Sequence, residues 1–444
     1  MAKVITSYEC TECGTQSPVQ MGRCPRCGSW GTMTAKIAPD RSSGSGPGVG
    51  GALRKAQVTA LHQVEENELT RRSSGEKEVD RVLGGGWVAG SVLLLAGEPG
   101  IGKSTLLLQL AHHAATTQHR TLYVAGEESM AQVKLRAQRL GLSPNMELTR
   151  DTDSRVLAEH LRIETPNLVI VDSIQTLVVE KGAAPGSVVQ LRDSTALLTQ
   201  AAKEVGCTLV LIGHVTKQGS IAGPKVIEHM VDATLSLETA SGFRILRAIK
   251  NRHGPVGEVG VFEMTQRGMV ALENPSEVFL AERPAGVPGS VVVAALEGQR
   301  PLLLEVQALA SKSPYVSPRR VVQGLDQRRV DVVLAVLERR LELPLADLDV
   351  YVNVAGGLRL TDPGTDLAVA VAVYSAVTNK PVPDHTAAVG EIGLAGELRT
   401  ASQLERRAQE AFRSGFKRVI GPKNSTITGA SSLSEALRLV WEER

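Results

Sequence analysis

The chain has 444 residues, of which 42% are hydrophobic, 22% charged and 3% aromatic, and its formal net charge is +2. This length exceeds what one compact core usually holds and predicts two or three domains, while the small net charge excludes a strong overall field, so any nucleic-acid site must be a local basic patch. No apolar stretch approaches the roughly 20 residues that span a bilayer, and the N-terminus lacks the apolar core of a signal peptide, so we expect a cytoplasmic protein.

Four cysteines near the N-terminus form two close pairs. Their spacing is CxxC, ten residues, CxxC, which in a reducing compartment favours a metal over disulfides. The expected ligands of one tetrahedral Zn²⁺ are Cys10, Cys13, Cys24 and Cys27. We therefore predict a zinc module over residues 1–36 that folds through metal binding. A redox or disulfide pair is the alternative, and the spacing does not say whether the module contacts DNA or protein.

Residues 37–60 are predicted to form a flexible linker, because they are rich in serine, glycine and proline and offer little to bury. From residue 61 to residue 273, short apolar runs alternate with helical patterns. These runs are SVLLLAG, TLYVAG, NLVIVD and CTLVLIG, and each is followed by a polar or glycine-bearing turn. Such runs are typical of buried parallel strands, so this segment is predicted to be an α/β domain.

The first of these strands ends in a glycine-rich loop that precedes a helical pattern. The loop reads GEPGIGKST, which fits the P-loop pattern GxxxxGKST. Its backbone N–H groups would cradle phosphates, Lys103 would neutralise β- and γ-phosphate oxygens, and the Ser104 hydroxyl would reach Mg²⁺. We therefore predict that ATP and Mg²⁺ are cofactors and that the nucleotide is bound by Gly97, Glu98, Pro99, Gly100, Ile101, Gly102, Lys103, Ser104 and Thr105.

Carboxylates stand at the ends of two further strands. Asp172 closes NLVIVD in the position where a Walker B acid would hold Mg²⁺ through its coordination shell. Glu127 and Glu128 follow TLYVAG, where a carboxylate would orient or deprotonate water. Negative charge at a helix N-terminus is the other interpretation of these glutamates.

A second α/β domain is predicted from residue 274 to residue 444. Its expected strands are VVVAAL, PLLLEVQAL, DVYVNVAGG and RVIGP. Helical patterns begin near Asp326, Asp366, Ser402 and Ser431. The whole chain is thus predicted to hold three domains and one linker.

Taken together, the motifs resemble the RadA (Sms) family of DNA repair and recombination proteins over essentially the whole chain. They are CxxC/CxxC, GEPGIGKST, YVAGEES, LVIVDSIQT, GHVTKQGSIAGPK, KNRHG and a tail similar to the Lon protease domain. The resemblance implies an α/β fold made of a RecA-like P-loop ATPase core, an N-terminal four-cysteine zinc module and a C-terminal Lon-protease-like domain.

The resemblance also assigns roles around the nucleotide. In the RecA-like register, Glu127 is the catalytic glutamate and His214 occupies the γ-phosphate sensor position. The loop that follows, at about residues 215–230, would bind DNA and carries Lys217 and Lys225.

In the KNRHG element, Lys250 and Arg252 would reach the ATP of the neighbouring subunit in a hexameric ring. His253 stands where the family usually has phenylalanine. A solvated basic turn is the alternative interpretation of this element.

In the tail, the resemblance to Lon requires a serine nucleophile and a lysine, but Gly364 and Glu405 stand at the aligned positions. We therefore expect no proteolysis, since Ser402 and Lys380 do not match the pattern. The Arg319/Arg320 pair would either contact DNA or form part of a solvated face.

These observations predict a DNA-dependent ATPase that forms a ring on single-stranded DNA. In family terms it would promote branch migration and strand extension of recombination intermediates alongside RecA. Three alternatives stay open at this point: an ATP-dependent protease, a RecA-like switch or kinase, and a loading scaffold that does not translocate.

Overall fold

The computed structural model describes residues 6–37, 60, 71–142, 145–179, 185–214, 226–240 and 242–442. The chain divides into two compact units. The first comprises Met1–Leu237, Ala248–Pro255 and Thr265–Met269, and the second comprises Glu238–Arg247, Val256–Met264 and Val270–Arg444. Most of the predicted linker lies outside the described residues, as do Lys217 and Lys225. Within the described ranges, no helix combines the length and the apolar character that a bilayer crossing requires.

The N-terminal cysteine segment forms a small antiparallel sheet. Strands β1 (Thr6–Cys10), β2 (Gln16–Ser17) and β3 (Met33–Ile37) pair in the order β2-β1-β3. Its buried centre consists of Cys10, Cys24 and Met33, with Tyr8 and Cys13 packed against them. So few apolar side chains cannot offset the conformational entropy of folding, so the sheet depends on what the thiols bind.

The first unit continues with strands and helices in alternation. They are β4 (Arg71–Arg72), α1 (Lys77–Leu83), β5 (Trp87–Val88), β6 (Val92–Gly97), α2 (Lys103–Thr116), β7 (Thr121–Ala125), α3 (Met130–Arg139), β8 (Glu147–Thr149), α4 (Ser154–Glu164), β9 (Leu168–Asp172), α5 (Val188–Val205), β10 (Thr208–His214), α6 (Val226–Met230) and β11 (Ala233–Ala240).

The core of this unit is a parallel sheet in the order β11-β6-β10-β9-β7-β8. Strands β6, β7 and β9 are buried along their whole length, as expected when helices cover both faces of a sheet. Helices α4 and α5 pack together on one face of the sheet, where their leucines join an apolar cluster. The buried parallel strands predicted from the apolar runs are therefore confirmed, and their carboxyl ends meet at one edge of the sheet.

The second unit is a mixed α/β structure. From residue 243 the chain forms β12 (Phe243–Asn251), β13 (Val259–Thr265) and β14 (Gly268–Ala271), whose residues are divided between the two units. Within the second unit it then passes through α7 (Pro275–Leu280), β15 (Ser290–Glu297), β16 (Arg300–Lys312), β17 (Arg320–Gln323), α8 (Gln327–Leu341), β18 (Leu348–Val354), α9 (Asp366–Thr378), β19 (Thr386–Ala388), β20 (Glu391–Ile392), β21 (Leu398–Arg399), α10 (Leu404–Arg413), β22 (Arg418–Pro422), β23 (Thr428–Ala430) and α11 (Leu433–Trp441).

Seven of these strands pair in the order β17-β18-β16-β15-β19-β22-β23. Helix α9 lies against β15 and β16, and its residues from Asp366 to Val373 are all buried. An apolar sequence on every face of a helix requires such a central position. Helices α8 to α11 begin at or close to the four predicted starts.

Candidate functional site

The loop between β6 and α2 has the backbone shape that a phosphate cradle needs. Gly100 and Gly102 have φ angles of 77° and 115°, in the left-handed region that favours glycine. A Cβ atom on Gly97 would lie 2.7 Å from the carbonyl oxygen of Leu237. Ser104, the second residue of α2, is half-buried. The structure thus brings the predicted P-loop residues together at the N-terminus of one helix.

Lys103 is the buried cation of this loop, with 4% of its surface exposed. Its Nζ donates to the carbonyl oxygens of Gly97 at 2.8 Å and Glu98 at 2.9 Å, and lies 3.3 Å from His214 Nδ1. Burial lowers the pKa of Lys103, although the charges of Asp172 and Glu127 act in the opposite direction. The ammonium group is therefore fixed at the mouth of the loop.

Asp172 lies two strands away from β6, at the end of β9, and is buried. The hydroxyl of Tyr123, on β7, donates to Asp172 Oδ2 at 2.6 Å. The backbone N–H groups of Gly126 and Glu127 donate to the carbonyl oxygen of Asp172 at 2.7 and 3.2 Å. Both the backbone and the side chain of Asp172 are therefore fixed by β7 and the turn after it.

Glu127 is the glutamate that faces the P-loop side of the sheet edge. Its Oε1 accepts from Ser173 Oγ and lies 2.9 Å from His214 Nε2. Burial alone would raise the pKa of Glu127, but hydrogen bonds from Ser173 and His214 and the charge of Lys103 hold that pKa below its ordinary value. The carboxylate is therefore ionised near neutral pH.

Glu128 is directed elsewhere, because it forms an ion pair with Arg136 of α3 at 2.5 Å. The two neighbouring glutamates thus differ in environment, and only Glu127 contacts His214. A Cβ on the preceding residue, Gly126, would lie 2.0 Å from Thr176 Oγ1. The turn that places both glutamates therefore requires glycine at that position.

His214 joins the lysine to the glutamate. An ammonium group can only donate, so His214 Nδ1 accepts the hydrogen bond from Lys103. In a neutral imidazole the proton then lies on Nε2, which donates to Glu127. The result is a continuous polar path from Lys103 through His214 and Glu127 to Ser173. Sequence reasoning found the first three of these residues but missed Ser173, and it also missed Tyr123.

Lys250 and Arg252 bond to the end of α6. Lys250 Nζ donates to the carbonyl oxygens of Glu228 at 2.6 Å and Val231 at 2.7 Å, and Arg252 Nη1 lies 3.4 Å from Asp232 Oδ1. Burial and then the charge of Arg252 lower the pKa of Lys250. Among the described residues, these side chains contact this segment and not the P-loop of their own chain.

His253, the departure from the family pattern, acts through its backbone. Its N–H donates to Asn251 Oδ1 at 3.0 Å, and its carbonyl oxygen accepts from Arg71. These contacts fix the turn after Lys250 and Arg252 without using the imidazole. Neither of these two contacts depends on the side chain at this position.

The two arginines predicted for DNA have different surroundings. Arg320 is half-buried and donates to the carbonyl oxygens of Leu345 at 2.8 Å and Leu348. Arg319 is exposed and stacks on Tyr315, with 4.3 Å from its guanidinium carbon to the ring centre. Arg320 is thus part of the fold, while Arg319 presents its charge to solvent.

The positions aligned with the Lon nucleophile and lysine hold neither group. A Cβ on Gly364 would lie 2.9 Å from Arg407 Nη1, and Glu405 is exposed. Arg407 is completely buried, pairs with Asp362 and donates to the carbonyl oxygen of Ala294 at 2.8 Å. The space beside Gly364 is therefore filled by a buried ion pair.

The four N-terminal cysteines converge on one point. All their Sγ atoms lie within 4.8 Å of one another, with 3.5 Å between Cys13 and Cys24 and 3.6 Å between Cys10 and Cys27. Four thiolates bound to one zinc at about 2.3 Å have sulfur separations of about 3.8 Å, so the cluster fits a single Zn²⁺. Cys207 is buried elsewhere, and burial raises its pKa to about 12.

Three family models match separate parts of the chain. The rubredoxin metal binding domain matches residues 8–35, the AAA domain residues 60–220, and subunit ChlI of Mg-chelatase residues 320–425. The first match agrees with the cysteine cluster. The second includes the P-loop, Glu127, Asp172 and His214.

Curated relatives match over the full length. The DNA repair protein RadA of Halalkalibacterium halodurans is 45% identical over 453 residues, covering 99% of each chain. That of Pseudomonas aeruginosa is 46% identical over 455 residues, covering 100% of each, and that of Bacillus subtilis is 42% identical over 453 residues, covering 99% of each.

Two solved structures are similar to part of the chain. The KaiC-like protein PH0186 of Pyrococcus horikoshii is 19% identical, and the match covers 46% of this chain and 99% of that one with a TM-score of 0.40. The RadB recombinase is 24% identical, and the match covers 45% and 99% with a TM-score of 0.38.

Proposed function

This chain belongs to the RadA family of DNA repair proteins, and from that premise we propose that it is an ATPase of recombinational DNA repair that acts as a ring-forming motor on single-stranded DNA. The observation that carries the proposal is the polar constellation at the carboxyl edge of the parallel sheet. There a P-loop, a buried lysine, two carboxylates and a histidine lie on adjoining strand ends.

In the proposed reaction, the P-loop N–H groups and Lys103 bind the β- and γ-phosphates of ATP. Glu127 orients a water molecule and accepts its proton while the water oxygen bonds to the γ-phosphorus and the bond to the ADP oxygen breaks. His214 contacts both Lys103 and Glu127. When the γ-phosphate binds Lys103 in place of His214, the hydrogen bond between His214 and Glu127 changes as well. Ser104 and Asp172 have the oxygen donors that suit Mg²⁺, which would neutralise phosphate charge there.

The DNA-binding loop follows His214 and carries Lys217 and Lys225. Helix α6 (Val226–Met230) forms the last part of the segment assigned to DNA binding, and the carbonyl oxygen of Glu228 in this helix accepts a hydrogen bond from Lys250 of the same chain. We assign Lys250 and Arg252 to the ATP of the neighbouring subunit in a hexameric ring. If Lys250 and Arg252 moved to the neighbouring subunit's ATP, their contacts with the end of α6 would break. Nucleotide binding would in this way be coupled to the DNA-binding loop. Phosphate contacts would make DNA affinity fall steeply with salt.

The second unit would act as a Lon-like scaffold without proteolysis. Its Gly364 lacks a nucleophile and Arg407 occupies the adjacent space. The exposed Arg319 would add a basic contact to DNA. The zinc module would present a further contact surface. Branched recombination intermediates and RecA are the proposed partners, and a reducing cytoplasm suits cysteines that bind zinc and form no disulfide.

Steady-state ATP hydrolysis with and without single-stranded DNA tests this proposal. DNA should raise the rate of the wild type, and Lys103→Ala should abolish hydrolysis. A hydrolysis rate that is the same with and without DNA would favour an ATP switch. Full recombination activity of Lys103→Ala would favour a loading scaffold. Casein degradation under ATP would contradict the assignment of the second unit.

A further inference from the structure

The buried tyrosine on β7 is the strongest polar feature of the nucleotide site that the proposed reaction does not use. Tyr123 has 1% of its surface exposed and Asp172 has 8%. Their contact, 2.6 Å from the phenol oxygen to Oδ2, has the length of a charge-assisted hydrogen bond. A buried phenol hydroxyl that is bonded to a buried carboxylate suggests a role for the tyrosine beyond packing.

The sheet register brings the two side chains to one face. Tyr123 is opposite Ile170 on β9, and Ala125 is opposite Asp172. Tyr123 therefore stands two residues before the level of Asp172, and side chains two apart share a face of a strand. Two residues rise roughly 6.6 Å along a strand, a distance that the long phenol side chain spans. Phenylalanine would fill the same volume but could not donate.

Among the residues that the structure describes, one oxygen of the carboxylate accepts a hydrogen bond. Tyr123 holds Oδ2, and no hydrogen bond to Oδ1 forms among the described residues. The backbone of Asp172 is fixed independently by the N–H groups of Gly126 and Glu127. Within the described residues, the Tyr123 hydroxyl is therefore the contact that fixes the side chain of Asp172.

We propose that Tyr123 is a positioning residue that orients Asp172, turning Oδ1 toward the coordination shell of the Mg²⁺ that accompanies ATP. Tyr123 does not touch the nucleotide in this assignment and acts only through Asp172. The inference rests on the proposed nucleotide binding. Groups that orient metal-binding carboxylates typically change metal affinity about 10- to 100-fold when they are removed.

Equilibrium binding of a fluorescent ATP analogue, measured in EDTA and then with increasing MgCl₂, tests the assignment. In Tyr123→Phe, affinity in EDTA should equal that of the wild type, while the Mg²⁺ concentration that gives half of the affinity gain should rise roughly 10- to 100-fold. Tyr374→Phe is the matched control in the second unit and should behave as the wild type. An unchanged Mg²⁺ dependence in Tyr123→Phe would overturn the inference.

Two further measurements keep the test specific. Thermal unfolding verifies that each variant is folded. In an Asp172→Asn background, Tyr123→Phe should no longer change the Mg²⁺ dependence, and an equal effect in both backgrounds would refute action through Asp172. If the wild type itself gained no nucleotide affinity from Mg²⁺, the proposed function would fail as well, which distinguishes that outcome from a failure of the tyrosine assignment alone.

Discussion

Replacing Ser173 by alanine removes one hydrogen bond from Glu127 and little else. Ser173 is fully buried and its hydroxyl donates to Glu127 Oε1. A hydrogen bond to a charged group contributes about 1.5–3 kcal/mol, or roughly 10- to 150-fold if its whole value were lost at the transition state. Because Glu127 keeps His214 and is 41% exposed, the lower end applies, and we expect kcat to fall about 10-fold with little change in KM.

The pH profile of the same variant gives a second, independent readout. The Ser173 hydroxyl is the foremost of the groups that lower the pKa of Glu127, so removing it raises that pKa. Hydrolysis needs the ionised glutamate, and the acid limb of the kcat profile should therefore move to higher pH. The assay is phosphate release across the acid range, under saturating ATP and single-stranded DNA.

The matched control is Ser194→Ala. Ser194 is a fully buried serine of α5 in the same unit, and within the described residues its hydroxyl has no hydrogen-bond partner. Its removal should leave kcat and the acid limb unchanged. If Ser173→Ala kept the wild-type rate and pH profile, or if Ser194→Ala changed them equally, the reasoning about Glu127 would be refuted.

Three other predictions concern the remaining parts of the chain. The protein should bind one Zn²⁺ per chain by spectrophotometric zinc release, Cys24→Ser should lose it, and Cys207→Ala should retain it; zinc lost from both variants or from neither would contradict the four-cysteine site. Arg407→Leu leaves its acidic partner buried without a counter-charge, and its free energy of unfolding should fall by about 3–5 kcal/mol in denaturant titrations. The exposed neighbour is the control, and Arg406→Leu should change the free energy of unfolding by no more than about 0.5 kcal/mol. Equal losses in the two variants would show that the buried pair is not the cause. Arg319→Ala should weaken DNA binding and lower the slope of log affinity against log salt by about one without changing the melting temperature, and an unaltered slope would remove it from the DNA surface.

The residues found from sequence are those whose chemistry restricts both residue type and spacing. A P-loop has few alternatives, and Asp172 and Glu127 stand at strand ends that the apolar runs mark. Tyr123 was missed because its hydroxyl reaches Asp172 only when β7 pairs with β9. A local sequence pattern does not predict the order of strands in a sheet. Ser173 directly follows a predicted ligand, and that adjacency was the available signal.

The charged residues of the second unit show more clearly that local sequence patterns do not predict which charged side chains are buried. Arg407 stands in the run LERRAQEAFR, whose composition is typical of a solvated helix, yet it is among the largest fully buried side chains of the described residues. Arg319 and Arg320 are adjacent and alike in sequence, but the second is held by carbonyl oxygens between β17 and the start of β18. A charged side chain is buried when a partner distant in the chain neutralises it, as Asp362 does for Arg407. Local sequence patterns do not predict such pairs.

The central claim is that each nucleotide site is completed by a neighbouring subunit, and a mixing experiment tests it most directly. Lys103→Ala and Arg252→Ala should each lack DNA-stimulated ATP hydrolysis alone. In an equal mixture, a site is complete where an Arg252→Ala subunit supplies the P-loop and a Lys103→Ala neighbour supplies Arg252, which random assembly gives at about one quarter of interfaces. We predict recovery of about a quarter of the wild-type rate. A mixture that stays inactive, or an Arg252→Ala protein that is active alone, would contradict the account.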